Sequence, residues 1–322
     1  MRNRYAEILV VDLLGGIGDL VIALPAIHAL AASHPGARLR VVTHEPGAGL
    51  LRGDPAVTGV RVPAHSRDGA EREAVTAALA ERRPDLAVTT TRYGGIPDLL
   101  RDSGARCVTN LWRGPPPDEL VGNRYLRILV EEGVLDPSAV DPVPRLRLSP
   151  AERAEGAREL AGLLGPTRRR PVLLVPEAGM AVKLWPERRW KELVAILDGM
   201  GVPVAAVPQA GSLRRLAAVF ADVARRGGVV VGGDTGPLRV AAASGARTVA
   251  LFGPTLASRY GLGDPAAVHL QGLPDCPHRR PTAITTQVCW WHANCPLSAT
   301  DPACMADIPV TAVAEAVVRS MS

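Results

Sequence analysis

Three short stretches of this chain place chemically capable side chains beside glycine turns. The first is Asp19, which follows the turn Leu14-Gly15-Gly16-Ile17-Gly18. A strand is predicted over Glu7 to Leu13, so Asp19 stands at its C-terminal edge, where open α/β sheets bind ligands. An acid there can take a proton, or it can simply complement the start of a helix dipole. The second is Lys183, which shares with Lys191 the distinction of being a lysine in a chain whose other basic residues are arginine. Lysine kept in such a background marks a place where a compact ammonium serves and a planar guanidinium does not. The third is Asp234-Thr235-Gly236-Pro237, between a β-branched run and a helical stretch. Proline fits the first turn of a helix, and the free N–H groups and dipole there favour an anion such as phosphate. An ordinary βαβ turn that binds nothing has the same pattern.

The elements that must hold these residues follow from the apolar runs. Val229 to Val231 end in Gly232-Gly233; Leu238, Val240 and Ala241 to Ala243 give the next helix a small-residue face; Thr248 to Phe252 is the following buried strand. Upstream, a helix is predicted from Asp19 to about Ser33, with Pro25 calling for a kink or a late start. Strands at Leu39–Thr43, Gly59–Val62, Leu86–Thr90 and Arg106–Thr109 alternate with helices at Glu71–Glu81 and Asp118–Glu132. Such βαβα order with short loops predicts an α/β protein with doubly wound parallel sheets. The glycine turn is not a dinucleotide fingerprint, because Val21 stands where the third glycine of G-x-G-x-x-G belongs. A proline-rich stretch from Leu135 to Pro150 reads as a linker, and Ser149-Pro150-Ala151-Glu152 opens a capped helix. The expected domains are 1–160 and 161–322. In the second, Pro171–Val175 and Val202–Val207 are predicted strands, Glu187–Gly199 a helix, and Pro309–Ser320 a final amphipathic helix expected to cross the domain junction.

A chain of 322 residues is long enough for two α/β domains, and 47% hydrophobic residues with 3% aromatics mean a core of Ala, Val and Leu. The net charge of +5 comes without interleaved arginine and aromatic residues, which argues against nucleic acid and suits an anionic substrate or a weak peripheral membrane contact. The N-terminus lacks a secretory pattern and no apolar run is long enough to span a bilayer, so the expected location is cytoplasmic. Five cysteines are an odd number for a disulfide framework. Cys276, Cys289, Cys295 and Cys304 cluster near the C-terminus without a C-x-x-C pair. That leaves a metal site or, as the default, a reduced and partly buried loop cluster.

The wording of these stretches adds more. Asp234-Thr235-Gly236-Pro237 through Ala250-Leu251-Phe252-Gly253-Pro254-Thr255 resembles the D-[TS]-G-P…A-L-F-G-P-T signature of glycosyltransferase family 9, the bacterial heptosyltransferases. L-G-G-I-G-D-L-V, with Gly16, Gly18 and Asp19, resembles that family's N-terminal motif. Gly179 and Lys183-Leu184-Trp185-Pro186 resemble its donor-domain segment, and Cys295-Pro296 through Cys304-Met305 its closing segment. The resemblance implies a GT-B fold, two Rossmann-like domains with parallel sheets facing a central cleft, and inverting transfer from a nucleoside diphosphate sugar to a hydroxyl acceptor. It implies that Asp19 is the base, that Lys183 neutralises the leaving diphosphate, and that Gly179, Asp234, Thr235, Gly236, Pro237 and Arg239 meet the donor. Gly16, Gly18 and, from the loop Thr90 to Tyr93, Arg92 fall on the acceptor side. No cofactor and no catalytic metal are expected. Two departures stand out: Arg239 replaces the signature histidine, and Gln209-Ala210-Gly211-Ser212 follows a strand where the family has a further βα unit carrying a ribose-binding glutamate. They leave open a non-catalytic nucleotide-sugar or anion-binding protein of the same fold.

Overall fold

The computed structural model describes residues 5–114, 116, 118–207 and 211–322. Contacts divide the chain into two units, one of Met1–Pro115 with Val121–Arg147, the other of Pro116–Leu120 with Leu148–Ser322.

In the first unit the order is β1 (Glu7–Asp12), α1 (Ile17–Ser33), β2 (Arg38–Thr43), α2 (Ala48–Leu51), β3 (Gly59–Arg61), α3 (Ala70–Glu81), β4 (Leu86–Thr89), α4 (Ile96–Asp102), β5 (Arg106–Val108) and α5 (Val121–Glu131). All pairings in its five-stranded sheet are parallel, in the order β3-β2-β1-β4-β5. Between its terminal acids Glu7 and Asp12, the central strand β1 is an unbroken apolar run, Ile8 to Val11, because both its faces are covered. Pro25 does not delay α1, which begins at Ile17 and runs through the buried proline.

The second unit contains α6 (Pro150–Leu164), β6 (Val172–Val175), α7 (Glu187–Gly199), β7 (Val204–Ala206), α8 (Leu213–Arg225), β8 (Val229–Gly233), α9 (Gly236–Ala243), β9 (Arg247–Phe252), α10 (Ala257–Tyr260), β10 (Val268–Gln271), α11 (Ala303–Ala306) and α12 (Val310–Met321). Its sheet is also five-stranded and parallel, ordered β10-β9-β8-β6-β7. Both sheets are therefore the α/β type that alternating elements predicted.

The division falls at Arg147 and Leu148, earlier than the expected boundary at 160, and α6 belongs to the second unit. The physical reason is a close helix–helix approach: a Cβ at Gly156 would collide with the backbone of Ala218 in α8. Glu152 in the first turn of α6 also reaches across to Arg214 of α8. The predicted helix from Asp118 starts only at Val121. Gln209 and Ala210, where the sequence departs from the family pattern, lie outside the described residues; Ser212 caps α8 by accepting from the Arg215 N–H. The final helix α12 packs on α7 and on β8, β9 and β10 of its own unit. Its residues Val313, Ala316 and Val317 share a core with Trp185, Trp190 and the sheet.

Candidate functional site

The chemistry-bearing residues fall into one group in each unit. In the second unit they gather where β8 ends. Backbone Gly232-Gly233 carries the chain to Asp234, whose N–H donates to Leu251 O of β9 at 3.1 Å. Thr235 is then the N-cap of α9, extended in backbone, with Gly236 and Pro237 in the first turn. The first-turn N–H groups have no intrahelical partners, and Pro237 has none to leave. The Thr235 hydroxyl is buried at the same helix start and has no hydrogen-bond partner among the described residues.

Lys183 reaches this point from a separate segment. A single 3-10 turn spans Ala181–Lys183. Val182 and Trp185 are buried on either side of it, and the Trp185 indole donates to Ile308 O at 3.1 Å. Pinned there, Lys183 Nζ donates to Asp234 O at 2.9 Å and to Asp234 Oδ2 at 3.1 Å. It also lies 5.4 Å from the ring centroid of Trp290, within cation–π reach. Arg239 donates to Asp234 Oδ1 at 2.5 Å and to Tyr260 O, and Thr255 Oγ1 donates to Asp234 Oδ2 at 2.8 Å.

Asp234 is thus a fully buried carboxylate between two cations. Burial alone would raise its pKa, but the Arg239 guanidinium and the Lys183 ammonium outweigh it and hold the carboxyl well below the usual range. Three of its roughly four lone-pair positions are occupied, leaving about one for a hydroxyl. Arg239 is itself buried, and its guanidinium is paired with Asp234. His269 nearby is held neutral: burial lowers its pKa, Arg239 repels its proton, and its Nε2 accepts from Leu262 N–H at 3.0 Å. Gly179 is exposed, and a Cβ there would meet nothing in the protein.

Sequence reasoning placed Lys183, Asp234, Thr235, Gly236 and Pro237, and these converge. It missed Trp290 and the Thr255 hydroxyl. The final threonine of the G-P-T run was the available signal for Thr255; nothing in the sequence placed Trp290 over Lys183.

The first unit carries Asp19 at the start of α1, past the end of β1. Gly16 is its N-cap, and a Cβ at Gly16 would collide with the Asp19 carboxylate, so the glycine makes room for the acid to fold back over the helix start. Gly18 lies in the same first turn. Three consecutive threonines, the last residue of the adjacent strand β4 and the two after it, lock the two strand ends together. Thr89 Oγ1 donates to Val11 O at 2.9 Å, Thr90 Oγ1 to Asp12 Oδ1 at 2.5 Å, and Leu13 N–H to Thr91 Oγ1 at 2.9 Å. Thr90, expected to face a ligand, is therefore buried and turned inward. Arg92 and Tyr93 are exposed on the same loop, Arg92 lying 5.7 Å from the Trp112 ring centroid.

Cys276, Cys289, Cys295 and Cys304 line one small cavity with His278 and Arg279. Burial pushes the Cys304 thiol up to about 12 and raises that of Cys289 as well. All five cysteines are unbridged. Among the described residues no three His, Cys, Asp or Glu groups are disposed to hold a metal ion. No described helix is long and apolar enough to cross a membrane.

Comparison with known proteins gives these sites a family. The chain is similar to a family 9 glycosyl transferase of Veillonella parvula, with 16% identity, TM-score 0.76, and coverage of 100% of this chain and 98% of that one. It is similar to ADP-heptose LPS heptosyltransferase II of E. coli, with 17% identity, TM-score 0.69, and coverage of 97% and 98%. Heptosyltransferase WaaC of E. coli, solved with ADP, shares 16% identity at TM-score 0.67, with coverage of 98% and 99%. No curated protein sequence matches the chain. The description of glycosyltransferase family 9 (heptosyltransferase) matches residues 112–281, just over half the length. With the paired parallel sheets and the Asp234-Thr235-Gly236-Pro237 helix start, this establishes that the chain belongs to glycosyltransferase family 9, the heptosyltransferases, and is a glycosyltransferase.

Proposed function

We propose that this glycosyltransferase moves a heptose-type sugar from a nucleoside diphosphate donor, ADP-heptose, to a hydroxyl of a glycan or a small secondary metabolite, with inversion at the anomeric carbon. The first unit takes the acceptor and the second the donor. The observation that carries the reading is the Lys183 ammonium, fixed by Asp234 beside the start of α9, where the Thr235 hydroxyl is buried without a partner. A diphosphate brings acceptor oxygens to a helix start, a hydroxyl and an ammonium that all offer donors.

In this reading Asp19 takes the proton of the acceptor hydroxyl, whose oxygen bonds to the anomeric carbon as the bond to the diphosphate breaks. The negative charge that grows on the departing diphosphate is met by Lys183 and the first-turn N–H groups of α9, an interaction strongest in the transition state. Asp234 orients Lys183 and offers its remaining lone pair to a donor hydroxyl. The adenine preference is supported by the names of the similar proteins, one an ADP-heptose transferase and one solved with ADP.

The test is calorimetric titration of ADP, GDP and UDP, followed by detection of released nucleoside diphosphate from ADP-heptose with pooled hydroxyl acceptors. Tightest binding of ADP and ADP release dependent on an acceptor are expected. A clear preference for UDP or GDP overturns the donor assignment.

A further inference from the structure

Asp12 is an acid in a position that the transfer mechanism above does not use. It ends β1, in register with Thr43 of β2, and is only 2% exposed. Among the described residues it forms no ion pair, which is unusual for a buried carboxyl. Its hydrogen bond comes from the neutral Thr90 hydroxyl, at 2.5 Å. Asp19 follows one glycine turn later at the start of α1, close enough for its charge to act on Asp12. Tyr93, on the loop after β4, donates to Leu13 O and feels the charges of Glu71, Asp12 and Asp19. Glu71 in turn is paired with His44 Nε2 at 2.8 Å. Among the described residues no cationic group acts on Asp12.

We propose that Asp12 is a positioning residue for transfer: a carboxyl that holds a proton beside Asp19 and so sets the charge against which Asp19 works as base. The proposal rests on Asp19 being that base. Burial disfavours the Asp12 carboxylate, the Thr90 hydrogen bond opposes this in part, and the charge of Asp19 adds a smaller push in the same direction as burial, so that Asp12 is raised to about 7. Asp19 sits in the first turn of α1, where the dipole favours an anion. Below neutral pH the buried Asp12 therefore keeps its proton. When Asp12 ionises, a second negative charge beside Asp19 makes it a stronger base. The proton drawn from the acceptor hydroxyl then goes to Asp19, and Asp12 stays charged.

The test uses the full chain with carboxyl-labelled aspartate, titrated by carbon NMR without substrate. One carboxyl is expected to titrate near neutrality in the wild type, to vanish in Asp12→Asn, and to move to lower pH in Asp19→Asn. Thr90→Val removes the hydrogen bond and is expected to move it to higher pH. A neutral-range carboxyl that persists in Asp12→Asn, or that stays in place in both Asp19→Asn and Thr90→Val, overturns the proposal. If Asp12→Asn does not fold, the other two variants decide. The second arm is the pH profile of ADP release from ADP-heptose, expected to rise through neutrality in the wild type and to lose that rise in Asp12→Asn; a rise retained there overturns it too. Failure to turn over ADP-heptose at all counts against the donor assignment and leaves the NMR result standing.

Discussion

Lys183 and Asp234 meet twice: the ammonium donates to the carboxylate at 3.1 Å and to the same residue's backbone carbonyl at 2.9 Å. Two contacts to one residue fix where the charge sits, so the cation is placed before any diphosphate arrives. Preorganised charge of this kind stabilises a leaving group without reorganising during the reaction.

Lys183→Ala is accordingly expected to weaken donor binding and to lower turnover by about 10²–10³-fold. The fold should survive, since Asp234 keeps Arg239 and Thr255 as partners. Lys183→Arg should rescue poorly, because a planar fork does not fit between two Asp234 oxygens and the Trp290 face. Steady-state kinetics of both variants check this. Wild-type parameters in the alanine variant would remove Lys183 from leaving-group stabilisation.

Arg239 has a different task, and its loss should be read in stability. Its guanidinium is buried against Asp234 and the Tyr260 carbonyl. Removing one partner of a buried pair typically costs about 3–5 kcal/mol, because the other charge stays behind. Arg239→Ala is expected to lower urea stability by an amount of that order, softened by the Lys183 contact. A change under about 1 kcal/mol would mean that Lys183 alone carries Asp234.

Much of this was legible in the residues, and the limits are instructive. Apolar runs bounded by glycine or proline located β1, β6, β8 and β9, because parallel strands covered on both faces need little else. The helix start at Thr235 to Pro237 was readable for the same local reason. Side-chain direction was not. Nothing in the spacing shows that Arg239 turns inward, because this depends on Asp234 and Tyr260 meeting it from other elements. Thr90 likewise looked like a polar loop residue until the register of β1 and β4 set its hydroxyl on Asp12. The boundary at 160 missed because α6 docks onto α8, a contact of residues far apart in sequence.

That α6–α8 contact has a pH signature. Arg214 donates to both carboxylate oxygens of Glu152, and Glu152 also accepts from the Ser149 N–H in the capping box. The Arg214 hydrogen bonds, partly offset by burial, take Glu152 from 4.5 down to about 2. A carboxyl with a depressed folded pKa contributes stability that is present above its unfolded value and is lost as pH falls through the folded one. The wild type should therefore lose this contribution between pH 4.5 and about 2, and Glu152→Gln should show a shallower decline over that window. Denaturant midpoints measured across the range check it. Equal slopes for the two proteins would show that the pair contributes nothing to the acid limb.

Asp19→Asn should abolish transfer and leave donor binding within a few-fold of wild type. An amide cannot take the acceptor proton, and losing general-base catalysis typically costs about 10²–10⁴ in rate. The substitution keeps the side chain's size, so it can still lie over Gly16. Turnover near wild type would take Asp19 out of the mechanism, and with it the premise for the role of Asp12.

Transfer is also expected to need no divalent cation. Glycosyltransferases that hold the diphosphate through a metal use closely spaced carboxylates, since hard oxygen donors suit magnesium and manganese. This chain of 322 residues contains no Asp-x-Asp. The acid nearest the expected diphosphate site, Asp234, already has Arg239 on one oxygen and Lys183 with Thr255 on the other. A carboxylate matched by two cationic side chains is a poor partner for a third cation, whose charge those neighbours would repel. The positive potential that a metal would bring comes instead from the Lys183 ammonium and the dipole end of α9. Arg239, which the sequence placed in that role, contributes indirectly by holding Asp234 in its ionised form. ADP release from ADP-heptose should therefore persist in excess EDTA and change little on adding magnesium. Activity lost in EDTA and restored by magnesium or manganese would overturn this account of how the leaving group is stabilised.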